Sequence, residues 1–202
     1  MAVKKLIEVW DGKKLVDKNI HFLKKKTNLV HLPLSENIKK ILIDLLDTFQ
    51  AIPCAGVAAN QIGYDKSIFI GLKKDIEDSP NEPNQTIKNP NLNNYEFYIN
   101  PEIYYYTKKS LQEGEEGCLS IPEVRIIAER FNKIKVKYYN EKGEKIKKPL
   151  SGFMSRLFQH ELDHINGVLM VENNKIKSVH RISENANISS LYIQLIEKIS
   201  KN

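Results

Sequence analysis

Residues 160–164 read His-Glu-Leu-Asp-His, and this run constrains the chain more than any other. On a helix, two histidines four positions apart share one face, about 6 Å apart along the axis. Both imidazoles then reach one metal ion. Glu161 lies about 100° further round the helix, where it can lean over the ion's open side and handle the proton of a bound water. The surrounding pattern fits, because residues from Ser151 to about Asn166 keep a helical period and Gly167 is well placed to end it. The chain has only five histidines, so abundance does not explain the pairing.

A catalytic site of this type needs a third protein ligand and an open fourth position. One variant of the motif continues His-x-x-Gly-x-x-His. Gly167 fits it, but Met170 stands where the third histidine belongs. Another variant takes a later glutamate, and Glu184, in a polar stretch with nothing to anchor it, is the near candidate. Cys118, in Glu116-Gly-Cys-Leu-Ser120, is the better choice. The glycine before it lets the backbone approach closely, and a thiolate is a strong soft ligand. The chain's two cysteines, Cys54 and Cys118, make no disulfide framework.

Length and composition bound the rest. At 202 residues one domain spanning 1–202 is expected, with 41% hydrophobic and 28% charged residues excluding a disordered or fibrous chain. The formal net charge of +6 permits an anionic partner without demanding one. No apolar run approaches membrane-spanning length, and the first residues lack the apolar core of a signal peptide. The first 30 residues read as an extended arm with turns, and Lys24–Lys26 as a solvated run. Ser35 caps a helix over about 36–50, and Pro53 ends any helical reading. Residues 67–72 read as a buried strand, and 73–94, rich in proline and asparagine, as a surface loop insertion. Paired strands are expected at 95–100 and 103–106, with others at 124–128, 133–139 and towards Pro149. An amphipathic C-terminal helix is expected over 187–202. The fold class is α+β: a mostly antiparallel sheet packed around the helix that carries the metal motif, with further N- and C-terminal helices.

Three segments together resemble the peptide deformylases. That family carries Gly-x-Gly-x-Ala-Ala-x-Gln, Glu-Gly-Cys-Leu-Ser and Gln-His-Glu-x-Asp-His in this order. Here they read Cys54-Ala-Gly56-Val-Ala58-Ala59-Asn-Gln61, Glu116 to Ser120, and Gln159 to His164, the last two complete. The resemblance covers roughly residues 5–172.

It implies that Cys118, His160 and His164 bind one divalent metal ion, iron(II) in many members, with zinc, nickel or cobalt also accepted. It implies that Glu161 moves protons, and that the Gln61 amide and the Leu119 backbone N–H stabilise the oxyanion formed on a formyl carbonyl. The Gly56 backbone would pair with an extended peptide, Arg125 would contact that peptide, and Leu157 would help wall a methionine pocket. Asp163 and Glu116 would orient ligands or nearby backbone. The implied reaction removes the formyl group from the N-terminal formyl-methionine of new proteins, in a bacterial cytoplasm or an organelle matrix, with a ribosome contact and no sequence-specific nucleic-acid binding. A non-catalytic metal- and peptide-binding descendant and a zinc endopeptidase are the alternatives. One departure stands out: Cys54 replaces the first motif's leading glycine. It would strain the backbone if φ there is positive, and otherwise narrow the substrate groove.

Overall fold

The computed structural model describes residues 3–75, 89–172 and 176–181. The helices there are α1 (Asp17–Leu23), α2 (Glu36–Ala51) and α3 (Gly152–Ile165). The strands are β1 (Gly56–Ala58), β2 (Ile68–Leu72), β3 (Tyr95–Tyr106), β4 (Leu111–Cys118), β5 (Ile121–Phe131), β6 (Lys133–Tyr139), β7 (Lys145–Ser151) and β8 (Ile176–Arg181). Every strand pair is antiparallel. The fold is α+β, with two sheets where one was expected: β1-β2-β3-β6-β7 and β4-β5-β8.

Helix α2 forms where its apolar positions recur at helical spacing. The Ser35 side chain caps it, accepting the Ile38 N–H at 3.4 Å. Its stripe of Ile38, Ile41, Leu42, Leu45 and Phe49 packs against Ile68, Ile70 and Leu72 of β2. The opposite face of that sheet carries Phe69, Tyr98 and Tyr138, and the first two rings hold Phe158 of α3 edge-on, with centroids 5.4 Å from Phe69 and 5.6 Å from Tyr98. Met154 and Leu157 of α3 join the α2 cluster. Gripped by both clusters, α3 turns His160, Glu161 and His164 towards the end of β4.

The structure corrects several expectations. The arm over the first 30 residues contains α1 and contributes Val9, Trp10, Leu23 and Val30 to the core. The two strands around Asn100-Pro101 are one strand, β3. Asn100 takes a left-handed φ of 49°, and its side chain bonds both the N–H and the carbonyl of Val30, so the chain bends there instead of turning back. The segment 124–128 is the middle of a longer β5, and β4 and β8 were not foreseen. The surface loop 73–94 holds a buried residue, Asn89, five positions before its end. Asn89 donates to the Phe49 and Cys54 carbonyls at 2.8 and 3.0 Å. Most of that loop and the expected helix over 187–202 lie outside the described residues. Among the described residues, no helix is long and apolar enough to cross a membrane.

Candidate metal centre

Cys118 ends β4, and His160 and His164 stand one turn apart on α3. Their donor atoms all lie within 4.8 Å of one another. His164 Nε2 is 3.3 Å from Cys118 Sγ. Burial pushes the Cys118 thiol up, but the two imidazoles outweigh it and bring it down to about 5. A thiolate is therefore present at neutral pH.

Glu116 organises one side of the cluster. Its carboxylate accepts Arg130 Nε at 2.9 Å and Arg130 Nη2 at 2.8 Å, a bidentate pair, and Arg156 Nη1 at 3.0 Å. Its Oε2 is also 3.0 Å from His160 Nδ1. Burial opposes ionisation of Glu116, yet Arg130 and His160 hold it well below the usual carboxylate range. The carboxylate fixes the His160 ring and leaves Nε2 for a metal. Asp163 pairs with Arg130 at 2.6 Å and so acts on Glu116 through the arginine.

Glu161 is buried, 3% exposed, and burial raises its carboxyl above the ordinary value. Its Oε2 is buried with no hydrogen-bond partner. Its other oxygen presses on strand β1 at Gly56, where a Cβ would stand 2.6 Å from Glu161 Oε1. Gln61 is held in one orientation: Oε1 accepts the Ala58 N–H at 2.9 Å, and Nε2 points to Ser120 Oγ at 3.2 Å and Cys118 Sγ at 3.6 Å. Asn60 Nδ2 donates to the His164 carbonyl at 2.7 Å, tying the turn that bears Gln61 to the histidine helix.

A cleft of about 470 Å³ opens over these groups. Gly56, Gln61, Cys118, Leu119, Arg125, Leu157, His160 and Glu161 all line it, so the structure brings the expected site residues together. His164 sits behind them, 2% exposed. Leu157 is 7% exposed and part of the α2 cluster. The Arg125 guanidinium lies across Gly117, 3.8 Å from Glu115. Met170, at the place of a third histidine, is buried in an apolar cluster with Leu169 and Val171. Glu184 lies outside the described residues. Cys54 lines the cleft and has no positive φ, so of the two alternatives for it the backbone strain does not arise. Burial and the nearby Glu161 charge push its thiol up to about 12.

Arg130, Arg156, Asn60 and Ser120 were not foreseen. The arginines left a usable signal. Three carboxylates, Glu116, Glu161 and Asp163, sit inside the metal motifs, buried carboxylates need cations, and the chain has only four arginines.

A soft thiolate, two imidazoles and an orphaned carboxylate oxygen fit a single divalent transition metal. Fold and centre together define a mononuclear metal-dependent hydrolase. The chain belongs to the polypeptide deformylase family, whose sequence pattern matches residues 13–181. A peptide deformylase of Aquifex aeolicus is 37% identical over 159 residues, covering 76% of this chain and 82% of the relative. The crystal structure of the Thermotoga maritima peptide deformylase superposes with a TM-score of 0.66 at 30% identity, covering 91% of this chain and 99% of that one. A class I type b peptide deformylase of Acinetobacter baumannii with Met-Ala-Ser bound superposes with a TM-score of 0.66 at 29% identity, covering 85% and 98%.

Proposed function

We propose that Cys118, His160 and His164 hold one divalent metal ion in a centre that removes the formyl group from N-terminal formyl-methionine of newly made proteins. The observation that carries this reading is the buried, unpartnered Glu161 Oε2 beside the three donors. A divalent ion there supplies Lewis acidity, which acidifies water and draws charge from a carbonyl oxygen.

The protein groups do the rest. Glu161 accepts a proton from water as the water oxygen bonds to the formyl carbon. It returns that proton to the amide nitrogen as the C–N bond breaks, so the products are a free amine and formic acid, which ionises to formate. Its raised pKa brings it closer to the operating pH, where such a group both accepts and donates well. The Gln61 Nε2 and the Leu119 N–H donate to the growing oxyanion. Gln61 costs little reorganisation, because the Ala58 N–H already fixes its amide. Strand β1 is a sheet edge, so the Gly56 backbone is free to pair with an extended peptide. Arg125 lies along the cleft to hold the peptide further out, and Leu157 walls the pocket for the methionine side chain. The Met-Ala-Ser bound to the Acinetobacter relative supports this substrate class.

Iron(II) is the native metal in this reading, with zinc, nickel and cobalt as replacements that the same donors accept. The site of action is a bacterial cytoplasm or an organelle matrix, where formyl-methionine starts proteins. A ribosome contact, suited by the net charge of +6, belongs to the same reading.

The test is formate release from formyl-Met-Ala-Ser by protein prepared without oxygen and loaded with iron(II), beside Glu161→Ala. Metal content is measured on both. The parent turns over, and the variant keeps its metal while losing about 10²-fold or more. A folded, metal-loaded parent without turnover would move the assignment to a metal- and peptide-binding protein.

A further inference from the structure

We propose that the outward face of β3, β6 and β7 binds single-stranded RNA, with lysines on the phosphates and tyrosines against the bases. This face is turned away from the metal centre. Ile134, Val136 and Tyr138 of β6 point inward to Phe158 of α3, so Lys133, Lys135 and Lys137 alternate onto the opposite side. Across the pair, Lys137 stands opposite Lys147 and Tyr139 opposite Lys145. The result is a two-stranded ladder of lysines, whose successive backbone positions along a strand lie about 6.7 Å apart.

Lys137 is already paired with Glu102, at 2.8 Å. Lys133, Lys135, Lys145 and Lys147 have no carboxylate partner among the described residues. These four charges make up most of the chain's net +6. Two faces of like charge repel, so such a ladder favours a polyanion over a second copy of this chain.

The aromatic groups narrow the polyanion's identity. A register shift between Ile103 and Tyr105 breaks the alternation of β3, and Tyr104 and Tyr105 are 46% and 53% exposed. Lys147 Nζ stands 5.8 Å from the Tyr104 ring and Lys135 Nζ 5.3 Å from the Tyr105 ring. Beside Tyr105 a shallow depression of about 340 Å³ is bounded by Lys133, Lys135 and Pro149. Flat rings interleaved with ammonium groups match a strand of alternating bases and phosphates. An anionic lipid surface fits less well, since the outward positions of β6 and β7 offer it no large aliphatic side chain. The choice of RNA over other nucleic acid rests on the proposed work on newly made chains. The lysine ladder and the two tyrosines select a base-bearing polyanion independently of that work.

The experiment uses the full chain and a fluorescein-labelled oligouridylate, followed by anisotropy over a range of salt. Replacing Lys133, Lys135, Lys145 and Lys147 together by alanine weakens binding at least about tenfold, and the salt slope falls by about 0.7 for each phosphate that is no longer neutralised. Tyr104→Ala and Tyr105→Ala each weaken it about fivefold or more with the salt slope unchanged. If the alanine set fails to fold, the same four lysines are changed to glutamine. Formate release from formyl-Met-Ala-Ser stays within about twofold of the parent in every variant, which separates this proposal from the catalytic one. Unchanged oligouridylate affinity in the four-lysine variant overturns it. So does equal binding of polyglutamate or phosphatidylglycerol vesicles at the same salt.

Discussion

Gly56 sits where Glu161 meets strand β1, and the contact leaves no room for a side chain. A Cβ there would stand 2.6 Å from Glu161 Oε1 and 2.9 Å from its Cδ. Gly56→Ala therefore forces the carboxylate aside without touching a ligand. Turnover should fall by about tenfold or more while bound metal stays at one equivalent, because a misplacement of about 1 Å carries a cost of that order or larger. Formate release and metal content on one preparation check this, and an unimpaired variant would remove Glu161 from the proton-moving role at this geometry. Cys54, two residues earlier, acts by size. Its φ is not positive, and its thiol, pushed up to about 12, stays neutral at working pH. Cys54→Gly should lower KM for formyl-methionyl peptides several-fold and leave kcat alone. A change in kcat with KM fixed would show that Cys54 does something other than narrow the groove.

At the scale of elements, β4 explains both what the sequence disclosed and what it hid. Leu111-Gln-Glu-Gly-Glu-Glu-Gly-Cys118 has the wrong composition for a strand, with two glycines and three glutamates in eight residues. It is a strand because arginines cross it: a Cβ on Gly114 would meet Arg156 Nη2 at 2.8 Å, and one on Gly117 would collide with the Arg125 guanidinium. Local propensity carries no record of side chains arriving from β5 and α3. The helix α3 and the strand β6 were legible because their period alone defines them, at 3.6 and 2 residues. The ligands and Glu161 were legible for the same reason, since chemistry fixes their spacing. Arg130, Arg156 and Asn60 were not, because they act across the fold on groups far away in sequence. Gly114→Ala tests this view of β4. Displacing Arg156 removes a donor from Glu116, so the variant should lose about 1–3 kcal/mol of stability and release metal to a chelator faster than the parent. Denaturant unfolding and chelator competition measure the two effects. Loss of stability with unchanged metal release would separate β4 packing from the support of His160.

The whole molecule is held at the metal centre by its first residues. The Ile7 N–H donates to the Gln61 carbonyl at 2.7 Å and the Val9 N–H to the Ser120 carbonyl at 2.9 Å, so the arm bridges the two turns that flank Cys118. Further back, Lys4 Nζ lies 3.4 Å from Asp44 on α2, and the same carboxylate receives Lys40 at 2.8 Å and the Tyr64 hydroxyl, which follows the Gln61 turn. Asp44 thus joins the arm, α2 and the motif-bearing turn through one buried group. Burial pushes its carboxyl up, but Lys40, Tyr64 and Lys4 outweigh it and hold the group below its ordinary 3.8. The unfolded chain then binds the proton more readily than the folded one, and stability rises with pH across that interval. The contribution is complete above about 3.8 and vanishes as pH falls through the lower folded value. Asp44→Asn should accordingly cost about 1–3 kcal/mol at neutral pH, and the gap to the parent should close as the pH is lowered. Urea unfolding of both proteins over an acid series reads this directly. A gap that stays constant down to the most acid point would mean that the aspartate is held by packing and not by its charge, and that the arm is fastened to the site by its backbone bonds alone.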